Sequence, residues 1–167
     1  MTQDKRLAEI EALYRERFRH FKRVAVAIVG DQERAVEAVH DGFADAIRGR
    51  RGFRGTGPLE AWVWRAVVNA ARRASREPSG LALRSEVESR RNGSAELEPD
   101  ALRDLIRGLP ERQRLALFLR YYGDLDYRSI AKALDVRTGT VSATLHAAHA
   151  AMRRVLEERE EVPDARP

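Results

Sequence analysis

Apolar residues in this chain recur at three- and four-residue intervals, and no stretch alternates apolar and polar residues over a strand's length. The pattern predicts an all-α protein. From Leu7 to Ile28 the stripe is Leu7, Ile10, Leu13, Tyr14, Phe18, Phe21, Ala25 and Ile28. That is one core-facing amphipathic helix, with Arg15, Arg17, Arg19, Lys22 and Arg23 covering the rest of its surface as a solvated face. Gly30-Asp31 breaks the period, and Asp31 is a candidate N-cap for a second helix from Glu33 to about Arg48. Its apolar set is Ala35, Val36, Val39, Phe43, Ala46 and Ile47. Glu37, Asp41 and Asp45, each four residues from the last, form an outward carboxylate row that sits in water or meets a basic partner.

Between this helix and the next lies Gly49-Arg-Arg-Gly-Phe-Arg-Gly-Thr-Gly. Glycines let a backbone approach a ligand closely, arginines contact phosphates, and Phe53 is either a stacking surface or a plug tucked into the core. The Gly-Lys-Thr ending of a phosphate-binding loop is missing, which argues against a nucleotidase. Pro58 suits the start of a third helix, Leu59 to Arg73. On it Trp62 shares a face with Ala66 and Asn69 or Ala70, and Trp64 shares another with Val67, Val68 and Ala71. One face is core and the other partly exposed. An exposed tryptophan beside Arg65, Arg72 and Arg73 is suited to stacking on unpaired bases.

The period then lapses. Residues 77–99 gain Pro, Ser, Gly and Glu and read as a flexible linker, so the chain divides into two small helical domains, 1–76 and 100–160, with an acidic tail at 161–167. Asp100 is the expected N-cap of the second domain, Leu102, Leu105, Ile106 and Leu109 mark its first helix, and Pro110 starts the next. Within Tyr127–Val141 a short helix presents Ile130, Ala131 and Leu134 on one face. A tight turn follows, with Thr138 or Thr140 as candidate cap of the next helix, which carries Val141 and Leu145 on its apolar stripe. Ala131 is small where two helices cross and Val136 plugs the turn. This is the pattern of a DNA-binding helix-turn-helix, although apolar spacing alone also fits a plain αα-hairpin.

Composition narrows the functions. The 167 residues carry a formal net charge of +5, which suits a polyanionic partner. The basic excess lies in residues 1–76, while 77–100 are net acidic. The chain has no cysteine, and its four histidines are not paired with carboxylates at ligand spacing, so no disulfide framework, metal site or cofactor is expected. No nucleophile–base set is visible either, and an enzyme is not expected. With no apolar run of spanning length and no signal-peptide pattern at the N-terminus, the expectation is a cytoplasmic protein without membrane insertion.

Two stretches carry a resemblance. LPERQRLALFLRYYGDLDYRSIAKAL, followed by GTV and LH, resembles region 4 of bacterial RNA polymerase sigma factors of the extracytoplasmic-function (ECF) type. AVEAVH, DGFADAIR and FRGTGPLEAWVWRAVVNAARR resemble their region 2. The resemblance implies a promoter-specificity subunit without catalysis of its own, whose partners are core RNA polymerase, promoter DNA and an anti-sigma factor or equivalent control. It implies that Glu37, His40 and Asp41 dock on the polymerase β′ clamp helices. Recognition and opening of the minus-10 element would fall to Arg51, Phe53, Arg54, Trp62, Arg65, Asn69, Arg72 and Arg73. Region 4 would touch the β flap and bind the minus-35 duplex. For that duplex the resemblance leaves Arg128, Lys132 and Arg137 for the DNA backbone, with Thr138, Thr140, Ser142, Thr144 and His146 on the recognition helix.

The sequence departs from the family pattern at two places. From Thr138 through Met152 there is no Lys or Arg, where family members commonly carry basic residues. Each lost phosphate contact removes about one unit of salt-dependent binding, so a weak duplex grip is expected. Val68 stands where an arginine often precedes the family's asparagine, here Asn69. Two other readings stay open: a sigma-like adaptor whose region 4 mainly binds protein, and a standalone helix-turn-helix regulator.

Overall fold

The computed structural model describes residues 2–78 and 100–160, and every regular element among them is helical. Two helical regions result. The first holds α1 (Thr2–Val29), α2 (Gln32–Gly49), a 3-10 turn at Arg50–Gly52 and α3 (Leu59–Arg76). The second holds α4 (Asp100–Arg107), α5 (Glu111–Tyr121), α6 (Tyr127–Leu134) and α7 (Thr138–Glu160). The expected linker at 77–99 lies outside the described residues apart from Glu77 and Pro78, and so does the tail at 161–167.

In the first region the apolar stripes meet around aromatic rings. Trp64 and Phe21 are fully buried and stack with ring centroids 4.0 Å apart, and Phe43 meets Phe21 edge-on at 4.9 Å. Trp64 is therefore the core tryptophan, and Trp62, on the other face, is half-buried. Gly30, at φ +82°, ends α1 by donating to the Val26 carbonyl at 2.8 Å, and Asp31 caps α2 by accepting from the Arg34 N–H at 2.8 Å. The carboxylate row is not uniform. Asp45 is held by Arg73 at 2.8 Å and by Arg48 at 2.5 Å, leaving Glu37 and Asp41 as its exposed members.

The second region is built around α5. Residues Leu115 through Leu119 are all buried, so the middle of this helix is covered on every side, with α6 and α7 packed on the helix and α1 touching it from the first region. Asp126 caps α6 through the Ser129 N–H at 2.7 Å. Asp135 closes the same helix in the left-handed conformation, φ 56°, and the Val136 N–H returns to the Ala131 carbonyl at 2.9 Å. The helix-turn-helix thus has its small Ala131 at the crossing and Val136 under the turn.

Three expectations need correction. Asp100 is the first residue of α4 rather than its cap. Neither Thr138 nor Thr140 is a cap: both lie inside α7, which opens on the Arg137 carbonyl, and the Thr140 carbonyl accepts from the Thr144 hydroxyl at 2.7 Å. Arg17 is no solvated charge, because it donates to Glu60 at 3.1 Å and to the Gly123 carbonyl at 2.8 Å, tying α1 to α3 and to the α5–α6 turn.

Two predictions follow from the packing. A Cβ at Gly42 would stand 2.5 Å from the Val67 Cα, so α2 and α3 approach as closely as they do only because residue 42 has no side chain. Gly42→Ala should lower stability on the order of 3 kcal/mol, a fall in Tm of roughly 10 °C by thermal melt, and an unchanged melt would mean that the helices have slack.

The second concerns acid. Hydrogen bonds from Arg72 to Glu111, from Arg73 to Asp45 and from the Ser129 backbone to Asp126 hold all three carboxyls below the ordinary carboxylate range. Groups with depressed folded-state pKa values stabilise fully above their unfolded values and lose that contribution as pH falls through the depressed ones. Their share of stability should be flat above about pH 5 and decline as pH drops below about 4. Denaturant melts across this range, run with Asp45→Asn and Glu111→Gln, should show a shallower acid decline in the variants.

Candidate nucleic-acid and polymerase interface

Helical spacing places Trp62, Arg65, Asn69, Arg72 and Arg76 along one stripe of α3, turned away from the buried face that carries Val63, Trp64, Val67 and Ala71. Val68, the residue in the family's arginine position, is 1% exposed and belongs to the core, while its neighbour Asn69 is exposed. A charge at 68 would have to be buried in this chain.

The Gly49–Gly57 loop is more ordered than a bare surface loop. Its 3-10 turn is held by Arg6, which donates to the Arg50 carbonyl at 2.7 Å, and the Arg6 guanidinium lies 5.3 Å from the centre of the Phe53 ring. Phe53 in turn rests against Trp62 with centroids 5.7 Å apart. The two aromatics expected to meet unpaired bases therefore form one half-buried pair beside α3, with Arg51 and Arg54 exposed next to it. Arg6 was not legible as part of this group, since forty-odd residues separate it from Phe53 and only the return of the chain brings them together.

The three expected minus-10 arginines of α3 have carboxylate partners. Arg73 is paired with Asp45 inside the first region. Arg65 donates to Asp135 at 3.2 Å, and Arg72 grips both oxygens of Glu111 at 2.9 and 3.2 Å, so both reach into the second region.

Glu37, His40 and Asp41 are exposed on α2. The His40 ring is fixed by a 3.0 Å hydrogen bond to the Tyr14 hydroxyl and by ring contacts with Tyr14 and Phe18. Tyr14 is a second member the sequence did not reveal. Beside Glu37 and Asp41 a small polar depression is lined by Arg34, Arg73 and Glu77, and Arg34 is spent on the backbone, donating to the Ala74 and Glu77 carbonyls. His20, facing the second region, is held below the ordinary histidine range by burial, with Arg17 and Arg23 adding to it and Asp124 and Glu60 opposing.

In the second region Arg128, Lys132 and Arg137 are exposed, as are Thr138, Ser142 and His146 of α7. Thr140 and Thr144 are half-buried and bonded to each other through hydroxyl and carbonyl. The outer face of α7 near its N-terminus is therefore small and uncharged: Thr138, Gly139, Ser142, Ala143, His146 and Ala147. Further along, His149 is joined to Tyr121 at 2.9 Å. A largely apolar groove of about 640 Å³ opens between α4, the start of α5 and α7, lined by Leu105, Leu109, Pro110, Gln113, Ala147 and Ala151 among others. Among the described residues no cluster of His, Asp or Glu is placed to hold a metal ion, and no helix is long and apolar enough to cross a membrane.

Known proteins share this arrangement. The Sigma-70 region 2 family matches residues 13–79, and Sigma-70, region 4 matches residues 100–152. The chain is 30% identical over 134 residues to the ECF RNA polymerase sigma-E factor of Escherichia coli K12, covering 70% of each chain. It is 27% identical over 150 residues to the RNA polymerase sigma-H factor of Pseudomonas aeruginosa, covering 79% of this chain and 78% of that one. The fold is also that of CnrH, solved in complex with the cytosolic domain of CnrY: TM-score 0.69, 16% identity, 93% of this chain and 95% of the other. The sigma factor RpoE of Bartonella quintana, solved with the anti-sigma factor NepR, follows at TM-score 0.57 and 15% identity, with 82% and 89% covered. With both regions matched in order along one chain and a sigma-E factor matched across 70% of its length, the protein belongs to the sigma-70 family, as an RNA polymerase sigma factor of the ECF type.

Proposed function

We propose that this sigma factor binds core RNA polymerase and directs initiation at a restricted set of promoters, without catalysis of its own. Residues 1–76 form the unit that docks on the polymerase β′ clamp helices and opens the minus-10 element, and residues 100–160 form the unit that meets the minus-35 duplex and the β flap. The observation that carries the reading is the α3 stripe: Trp62, Arg65, Asn69 and Arg72 on one outward face, continued by Phe53, Arg51 and Arg54 of the adjoining loop.

Opening duplex DNA costs a few kcal/mol per unstacked step, and aromatic surface beside arginines offsets it by stacking bases and holding phosphates. Arg73, paired with Asp45, orients the end of the stripe more than it supplies free charge.

Polymerase docking falls to Glu37, His40 and Asp41. The two carboxylates are exposed, and the imidazole between them is set by Tyr14, so the group presents acidic surface to basic helices. In the second unit Arg128, Lys132 and Arg137 serve the phosphates while Thr138, Ser142 and His146 face base edges. Thr140 and Thr144 act within the helix through their mutual bond. The Leu105–Ala151 groove is apolar enough to take the β flap. Control by an anti-sigma factor is supported by the fold shared with CnrH, solved with the cytosolic domain of CnrY, and with RpoE, solved with the anti-sigma factor NepR.

A second reading is favoured by one specific observation. The uncharged outer face of α7 suits a region 4 that binds protein more than DNA, which would make the chain a sigma-like adaptor. A standalone helix-turn-helix regulator would leave the acidic α2 face and the α3 stripe unused.

Mixing the purified chain with core RNA polymerase should give a co-eluting complex that initiates from the DNA upstream of the chain's own coding sequence. Absence of a complex would remove both sigma readings, whereas a complex that initiates at no genomic promoter would select the adaptor. Glu37→Lys combined with Asp41→Lys changes exposed groups only, so the circular dichroism melt should be unchanged while co-elution is lost. Retained co-elution would place the docking face elsewhere.

A further inference from the structure

The loop that carries Phe53 has little of its own to hold it. Its 3-10 turn, Arg50–Gly52, spans three residues and has no side-chain cap. It closes on a bond from the Phe53 N–H to the Arg50 carbonyl at 3.4 Å, long for a backbone hydrogen bond. Glycines at 49, 52, 55 and 57 surround it, and Arg50 turns its own side chain back onto the Ile47 carbonyl at 2.7 Å.

Arg6 supplies what the loop lacks. From α1 it donates to that same Arg50 carbonyl at 2.7 Å, and its guanidinium stands 5.3 Å from the centre of the Phe53 ring. One planar group thus grips both the carbonyl that closes the turn and the ring that follows it. The Phe53 ring rests on Trp62 at 5.7 Å, and the Trp62 ring lies against Gly49, 3.6 Å from where a Cβ would stand. Guanidinium, phenyl, indole and backbone form one continuous stack joining α1, the end of α2 and the start of α3.

We propose that Arg6 is a positioning residue of the minus-10 site: it holds Phe53 in the pose that receives an unpaired base of single-stranded DNA, and it acts through that ring instead of on the strand. The inference rests on the minus-10 reading of Phe53 and Trp62 and adds the residue that sets their geometry.

A ring that must be ordered as the base arrives loses part of the stacking gain to its own immobilisation. On a glycine-flanked turn that loss is large. With Arg6 in place, the ordering is completed when the chain folds. Lysine is no substitute, because an ammonium meets the carbonyl or the ring, whereas the flat guanidinium meets both.

The test uses the full chain with Arg6→Ala, Arg6→Lys, Phe53→Ala and the double variant Arg6→Ala with Phe53→Ala, each checked for an unchanged circular dichroism spectrum. The chain has two tryptophans and Trp64 has no exposed surface, so acrylamide quenching reports on Trp62. Quenching should rise in both Arg6 variants. Unchanged quenching would overturn the proposal whatever the DNA measurements give.

Binding is read with a fluorescein-labelled oligothymidine of about 15 nucleotides across a salt series. Arg6→Ala and Arg6→Lys should each weaken it by about 3- to 5-fold with an unchanged salt slope, and Phe53→Ala by about 10-fold. The double variant should bind as Phe53→Ala alone, because a residue that acts through the ring has nothing to act on once the ring is gone.

Additive losses, a salt slope lower by about 0.7 in Arg6→Ala, or full binding by Arg6→Lys would make Arg6 a phosphate contact and overturn the positioning role. Wild-type binding by Arg6→Ala beside weakened binding by Phe53→Ala would overturn the proposal and leave the minus-10 reading standing. Wild-type binding by Phe53→Ala would refute the reading of Phe53 and the proposal with it.

Discussion

Trp64 lies flat on Phe21 with no exposed surface, and that stack fixes the rotation of α3 about its own axis. Everything else on the helix follows from it. Once Trp64, Val67 and Ala71 point inward, Trp62, Arg65, Asn69 and Arg72 must point outward, because the turn of the helix allows nothing else. Phe43, set edge-on against Phe21, carries the same constraint to α2 and leaves Glu37 and Asp41 on the far side. The same core thus sets which residues of α2 and of α3 reach the surface.

Much of this was legible in the chain. Gly30 and Asp31 mark the α1–α2 break, Pro58 and Pro110 sit just before helices, and the Ala131–Val136 spacing marks the helix-turn-helix, because each depends on bonds between near neighbours. The choice between the two tryptophans was not legible, since α3 is apolar over more than half its circumference and either ring could have faced inward. Arg17 and Asp45 look like ordinary surface charges in sequence. Their partners at Gly123, Glu60 and Arg73 are set by how helices return, and local pattern carries no record of that. The same holds for Arg6 over Phe53 and for Tyr14 against His40. For the roles of Phe53, Trp62 and the recognition-helix residues, the sequence supplies the side chains, while the partner that would meet them lies outside the chain.

Charge is distributed by function more than by amount. The outer face at the start of α7 is neutral and small, while arginines crowd α3 and its neighbouring loop. A helix face without cations sits in a groove only if something else holds it there, so on the proposed reading duplex contact by α7 would depend on the attachment of the whole complex. The first region, by contrast, concentrates cations on α3 and its loop, and several of them are already neutralised by carboxylates within the chain.

The bonds that close the helix-turn-helix differ in reach from those that close the first region. The Gly123 and Leu125 amides return to Phe118 and Leu119, Val136 to Ala131, and Arg120 to the Leu125 carbonyl, all a few residues away along the chain. The ties of α1–α3, such as Arg17 to Glu60, Arg34 to Ala74 and Arg73 to Asp45, span 43, 40 and 28 residues. Local closure lowers contact order, and low contact order shortens folding time. During synthesis, then, the turns around α6 can set as soon as they emerge, while the ties of α1–α3 must wait for distant chain.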